Sequence, residues 1–334
     1  MDLSPQHISY SAKSTRYRIK KSPRWDDDNA VAATVGTIMA LLVFLSFMGI
    51  FTNQFVPAWM SDNESNHMSQ AISQFTTLKS QVDIGISNSQ NTLIAPTPIF
   101  VPITLSAPGI PVFAASTAGI MSFVPQGLNL RPVFSVTYTY KSATTGDVLE
   151  LSQSNDGLAG GSLDLYCPNR YYVEEHLIYE NGAVILNQSD GEFIIAGSQF
   201  AVKNVGTAQS PSRVVMLTQI SMQGANKTIG GTGSKGVNAD ITYASTNVYD
   251  NPTKTTMTIT MTTQHGVAWK NFFMRALNGT ANMTLGNGFD ITITKHHFSN
   301  NLLDYSVLTL TIDSVSTLDF TKAYVRISIG ELSA

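Results

Sequence analysis

The chain has 334 residues, 43% of them hydrophobic, which is enough to bury a sizeable core and excludes disorder throughout. Charged residues make up only 13%, the formal net charge is −3, and no basic stripe with interleaved aromatics follows Arg24, so nothing supports a nucleic-acid partner. Cys167 is the only cysteine, so no intrachain disulfide can form, and it reads as a buried, inert thiol.

In chain order the first segment, 1–28, is a basic head carrying Lys13, Arg16, Arg18, Lys20, Lys21 and Arg24. The next, 29–52, predicts a transmembrane helix. Its uncharged run from Ala30 to Phe51 is 22 residues long. At ~1.5 Å per residue that is about 33 Å, against a hydrocarbon core of ~30 Å. A secretory signal fits poorly, because an apolar core of roughly 7 to 15 residues and a small-residue cleavage site are expected there. The first Lys or Arg beyond the span is Lys79. That asymmetry predicts a cytoplasmic N-terminus and an extracellular C-terminal part, held in the cell membrane by a single pass through the lipid bilayer. Trp25 and Trp59 then flank the span at interfacial depth. Ala32, Gly36 and Ala40 recur every four residues and place small side chains on one face, where a second helix can approach closely.

The span stretch "AVAATVGTIMALLVF" resembles the hydrophobic N-terminal helix of archaeal type IV pilin-like proteins, through Ala30, Val31, Val35, Gly36, Thr37 and Ile38. A second stretch, residues 169–202, is similar to a segment of archaeal membrane-anchored proteins in which such a helix is followed by a β-rich ectodomain. The resemblance implies a cell-surface, cell-envelope protein and brings no activity with it. Two features depart from it. The helix is preceded by "WDDDN" where processing in such families usually wants a basic and then a small residue, and no carboxylate lies within the span. A retained anchor and a filament subunit both stay open.

Segment 53–90 predicts an amphipathic stalk helix, begun by Ser61 or Asp62 as cap with Glu64 in the first turn. Met68, Ile72, Phe75, Leu78, Val82 and Ile86 form one apolar stripe at spacings of three and four. That stripe is expected to be covered by the chain's own outer domain or by neighbouring helices, and His67 beside it is expected to be solvated.

From 91 to 334 the pattern changes to short β-branched or alternating runs, among them "VFSVTYTY", "GAVILNQ", "TTMTITMTT", "YSVLTLTI" and "AYVRISIG". The fold class predicted is mainly β, an antiparallel β-sandwich ectodomain of one body or two packed sub-domains. "VAWKNFFMRAL", residues 267–277, reads as a short amphipathic helix plugging one end. Five sequons beyond the span, at Asn63, Asn187, Asn226, Asn278 and Asn282, are candidate glycosylation sites and agree with an outside location.

No Gly-x-Ser-x-Gly, His-Glu-x-x-His or paired Cys-x-x-Cys occurs in the sequence. "GGTGSKG", residues 230–236, lacks P-loop spacing and reads as a mobile hairpin tip. His296 and His297 are adjacent and point to opposite faces of a strand, as do Glu174 and Glu175, so neither pair makes a metal site or a carboxylate pair by itself. No catalytic, cofactor-binding or metal residue is assigned. The expectation is a structural or adhesion protein of the cell surface, with a tethered module that binds glycan or protein second and a tethered hydrolase third.

Overall fold

The computed structural model describes residues 27–90, 97–127, 132–142, 145–152, 158–207, 209–279, 283–296 and 304–331. The basic residues of the head, Trp25, Asn282 and His297 lie outside the described residues. Two compact units divide between Phe55 and Val56.

The first unit contributes α1 (Asp27–Ile50) and a π-helical segment, Phe51–Phe55. The second begins with α2 (Val56–Ser89). Its first seven strands are β1 (Ile99–Thr104), β2 (Gly119–Pro125), β3 (Val133–Lys141), β4 (Val148–Leu151), β5 (Leu158–Cys167), β6 (Glu175–Glu180) and β7 (Ala183–Gln188). Then come β8 (Gly191–Ala196), β9 (Phe200–Asn204), β10 (Arg213–Gln223), β11 (Lys227–Gly231) and β12 (Ser234–Thr263). The chain finishes with α3 (Gly266–Asn278), β13 (Thr284–Leu285), β14 (Gly288–His296) and β15 (Tyr305–Glu331). Strands occupy 53% of the chain, which makes it mainly β.

The strands hydrogen-bond into one curled 15-stranded sheet with the main order β13-β14-β15-β12-β3-β5-β6-β7-β8. The expected antiparallel sandwich is thus replaced by a continuous sheet, and two of its pairings, β10 with β15 and β13 with β14, are parallel. The spine is the antiparallel pair of β12 and β15, 30 and 27 residues long. Its register shifts between Ile241 and Tyr243 and again around Thr255. Each such bulge adds twist and bends the strand, which lets a long ribbon curl instead of running flat.

Two hydrophobic cores share that spine. One gathers Val237 and Ala239 of β12 and Val325 and Ile327 of β15 with the stripe of α2. The other gathers Ile259 and Met261 of β12 and Leu308 and Leu310 of β15 with Trp269 and Phe273 of α3. The β6–β7 hairpin stands between them: Leu177, Tyr179, Val184 and Leu186 face the first core, whereas Ile178, Ala183 and Ile185 face the second. A strand buried on both faces needs no polar alternants, which is why "HLIYENGAVIL" is apolar almost throughout. Its two-residue turn puts Asn181 at φ 43° and Gly182 at φ 75°, the left-handed pair that a tight hairpin demands. Asn181 Oδ1 also accepts the backbone N–H of Ile220 at 2.9 Å, so the turn is pinned to β10.

Of the α2 stripe, Met68, Phe75, Leu78, Val82 and Ile86 are buried in the first core and Ile72 packs half-buried against it. The division of units at Phe55 and Val56, instead of near residue 90, follows from this packing: α2 shares its core with β1 and β12. Each fully buried side chain of this size contributes about 1.5–3 kcal/mol, so the helix is held by these five side chains more than by its own propensity.

Candidate functional site

The exposed surface of α1 is apolar. Every residue from 31 to 47 is exposed, with Val31 at 61%, Val43 at 70% and Phe47 at 62%, and none is charged. Its hydroxyls are satisfied inside the helix: Thr37 donates to Thr34 O at 2.8 Å and Ser46 to Leu42 O at 2.7 Å. Among the described residues this is the one helix long and apolar enough to cross a membrane. Ala32, Gly36 and Ala40 are all exposed on it, and a Cβ added at Gly36 would meet nothing within 4 Å.

A second cluster forms where α2 enters its core. Glu64 is only 2% exposed, and its carboxylate accepts three successive backbone N–H groups, from Arg170 at 3.2 Å, Tyr171 at 2.8 Å and Tyr172 at 2.7 Å. One residue earlier, Asn63 Nδ2 donates to Pro108 O at 3.3 Å. The loops 105–118 and 168–174 are therefore both fastened to the same turn of α2. His67, expected to be solvated, is 3% exposed, and its Nε2 donates to Thr104 O at 2.9 Å. Burial lowers its pKa against the opposing pull of Thr104 and Glu64. The correction has a simple cause: polar neighbours in sequence say nothing about β1, which covers this histidine from 37 residues away.

A third cluster ties α3 to the sheet. The helix has no side-chain cap of its own, and Glu192 of β8 supplies one, accepting Val267 N at 2.9 Å and Ala268 N at 3.1 Å. The other oxygen of Glu192 meets His265 Nδ1 at 3.0 Å. Behind them Glu180, 1% exposed, accepts Thr263 Oγ1 at 2.7 Å and the indole N–H of Trp269. Burial pushes the Glu180 carboxyl up. For Glu192 burial pushes the same way but the His265 bond and charge outweigh it, leaving the group below its usual range. Burial alone would lower His265, yet Glu192 and Glu180 together hold it above its ordinary value. An open pocket of about 360 Å³ adjoins Glu192, lined also by Gln264 and Ser306. An acid-base pair is present here, with one carboxylate oxygen of Glu192 committed to the first turn of α3 and the other to His265 Nδ1. The Thr263 hydroxyl accepts the backbone N–H of His265 at 3.0 Å and itself donates to Glu180, and the imidazole's side-chain partner is the Glu192 carboxylate.

The remaining candidates separate widely. Cys167 is buried, 3.8 Å from Leu105 O, and burial beside Glu175 pushes its thiol up to about 12. Glu174 is exposed and bonded to Tyr166, whereas Glu175 is buried and bonded to Gln188. His296 stacks on Tyr305 with centroids 4.9 Å apart, and His176 stacks on Tyr166 at 4.4 Å. The described residues contain no group of three or more His, Cys, Asp or Glu side chains placed to hold a metal. "GGTGSKG" links β11 to β12, which pair with β2 and β1 respectively and not with each other, so it is no hairpin tip. Of the sequons, Asn226 is exposed between β10 and β11, Asn278 is exposed at the end of α3, Asn187 is half-buried within β7, and Asn63 is committed to Pro108. No family model, curated protein or solved structure matches the chain.

Glu64, Glu180 and Glu192 escaped the sequence reading as structural centres. The signal lay in their context: in a chain with 13% charged residues, a carboxylate set in "HLIYENGAVIL" has to be buried with partners or excluded from the strand.

Proposed function

We propose that this chain is a single-pass protein of the cell surface, anchored by α1 with its N-terminus in the cytoplasm and its β-rich unit outside, serving envelope structure or adhesion. The observation that carries this is the unbroken exposure of the uncharged residues 31–47, while the second unit gathers two hydrophobic cores and exposes no comparable uninterrupted run among its described residues. Leaving that surface in water would cost roughly 25 cal/mol per Å², so a lipid environment is its natural solvent. The basic head before the span and the absence of Lys and Arg from 52 to 78 give the direction. In this reading α2 serves as the stalk that joins anchor to ectodomain, the pilin-like helix gives the protein its place in an archaeal envelope, and filament formation through the small face of α1 is the assembled form. We read it as non-enzymatic, since its buried carboxylates already hold α2, α3 and their loops.

Protease added to intact cells should release a large C-terminal fragment. Protection of that fragment until lysis would overturn the topology.

A tethered binding module is the second reading, favoured by a groove of about 720 Å³ lined by Ser198, Phe200, Met216, Thr218, Val248 and Thr321. Retention of the full chain on envelope polysaccharide or on a surface protein, lost on Met216→Lys, would move the conclusion there.

A further inference from the structure

We propose that the open pocket beside Glu192 is a sugar-binding site, one that takes a neutral, hydroxyl-rich ring such as the end of a glycan chain. The proposal rests on the second reading above, that of a tethered binding module, and gives it a site separate from the groove at Met216.

Separate stretches of chain meet at this pocket, whose volume of about 360 Å³ lies within the ~300–1,000 Å³ usual for small-ligand sites. Glu192 comes from the start of β8, Gln264 from the link between β12 and α3, Val267 from the first turn of α3, Lys295 from the end of β14, and Asp304 and Ser306 from the entry to β15. The sheet register explains why they gather. Ser306 is paired with Thr263 of β12 on one side and with Lys295 of β14 on the other, so the three side chains stand in one row on one face. Gly266 lies over that row: a Cβ added there would come within 2.6 Å of Ser306 Cβ, so a glycine lets α3 begin this close to the sheet.

The groups around the pocket both give and take hydrogen bonds. Ser306 is 7% exposed, and its hydroxyl meets no protein partner among the described residues. A buried hydroxyl in that state calls for a ligand or an ordered water. Gln264 and Lys295 are exposed, and their side chains likewise meet no partner among the described residues; an amide donates and accepts, whereas an ammonium only donates. The carboxylate of Glu192 has about four lone-pair positions, of which Val267 N, Ala268 N and His265 Nδ1 use three. One remains for a ligand. Val267, 40% exposed, supplies an apolar surface for the C–H groups of a ring.

The same pocket disfavours other ligands. An anion would be drawn to the N-terminus of α3, but Glu192 already caps the N–H groups of Val267 and Ala268 there and would repel it. A metal ion lacks ligands, since no group of three or more His, Cys, Asp or Glu side chains among the described residues is placed to hold one. Charges of both signs line the pocket, Glu192 and Asp304 with Lys295, which suits a neutral ligand whose hydroxyls both donate and accept.

The test uses the full chain in a detergent without a sugar head group, titrated calorimetrically with maltotriose, mannotriose and chitotriose, and with trigalacturonate as the anionic counterpart. At least one neutral trisaccharide should bind saturably. Gln264→Ala and Ser306→Ala should each weaken that binding about tenfold while the melting temperature holds, and Met216→Lys should leave it unchanged. Gln264 is exposed and lies outside helix and strand, so its variant keeps the test open if Ser306→Ala folds poorly. If Met216→Lys abolishes sugar binding and the two pocket variants do not, the binding module stands and this site is refuted. Binding of trigalacturonate alone would overturn the neutral ligand. If none of the four sugars binds, the proposal falls, and retention of the same preparation on envelope polysaccharide or on a surface protein then decides whether the binding-module reading falls with it.

Discussion

His265 Nδ1 and Glu192 Oε2 lie 3.0 Å apart, and the other oxygen of the same carboxylate caps the first turn of α3. One side chain from β8 therefore fixes both the helix and the residue that precedes it. The dipole of α3 and the imidazolium favour the same negative charge, so the two interactions reinforce each other. Glu180, Asp164 and His176 complete the set of titrating groups that act on His265.

This arrangement sets a direction for stability against pH. The folded value of His265 is raised, so its contribution is fully present below the unfolded value of about 6.5 and is lost as pH climbs through the raised one. Buried Glu180, also raised, acts in the same direction from about pH 4.5 upward, because the folded state keeps a proton that the unfolded chain releases. Depressed Glu192 contributes above about 4.5 and fails only in acid. The melting temperature in detergent should therefore fall as pH rises above about 6.5. Glu192→Gln should cost about 1.5–3 kcal/mol near pH 6 and flatten that slope. An unchanged slope in the variant would assign it to other groups.

Glu64 offers a local counterpart. Replacing it with Ala leaves three consecutive N–H groups of the 168–174 loop without their acceptor, a loss of about 3 kcal/mol or more, whereas Gln keeps an acceptor and should lose less. Limited trypsinolysis reads the consequence directly. Cleavage after Arg170 should accelerate strongly in Glu64→Ala and modestly in Glu64→Gln; equal rates in all three proteins would show that the loop is held by other means.

The α2 stripe predicts a loss of stability that does not depend on concentration. Phe75 is 0% exposed in the core shared by β1, β12 and β15. Phe75→Asp removes about 3–5 kcal/mol of packing and adds an unpaired buried charge. The melting temperature of the full chain should drop by about 10 °C or more at every dilution. A drop seen only where multimers dissociate would mean that the face is covered by neighbouring chains.

The helices were legible because their determinants are local: a spacing of three and four and an uncharged run. The long strands were not. "YDNPTK" carries Asp, Asn and Pro and reads as a turn, yet β12 passes through it as a bulge, with Asn251 Nδ2 bonded to Thr139 O at 2.8 Å. "TIDSVST" likewise breaks "YSVLTLTI" from "AYVRISIG" in sequence, while Ser314, at φ 54°, only kinks a continuous β15. Pairings such as β10 with β15, about 100 residues apart, leave no trace in a local pattern, and a single curled sheet cannot then be told from a sandwich. The same distance hid Glu64 and Glu192, whose partners lie 106 and 73 residues away.

Glycosylation separates the sequons by geometry. Asn226 is exposed in the connection between β10 and β11, with the backbone of its triplet leading into an edge strand, whereas the Asn63 amide donates to Pro108 from within a helix. In a glycosylating host, Asn226→Gln should remove one step of gel mobility and Asn63→Gln none. The opposite pattern would place the N-terminal part of α2 in an extended state when the glycan is added.

Gly36 is the decisive position for assembly in the membrane. The face of Ala32, Gly36 and Ala40 is exposed, and a Cβ at Gly36 meets nothing within 4 Å, so Gly36→Leu leaves the fold of the chain unstrained. Leucine also inserts into lipid more favourably than glycine, so the amount of protein in the membrane should hold. What the bulky side chain removes is close approach by a second helix, where small residues let backbones pack and dispersion supplies the attraction. Crosslinked multimers should therefore fall several-fold while the β-rich unit keeps its melting temperature. Unchanged crosslinking would move any association off this face, and a wild-type chain that gives no multimers at all would leave α1 as an anchor alone.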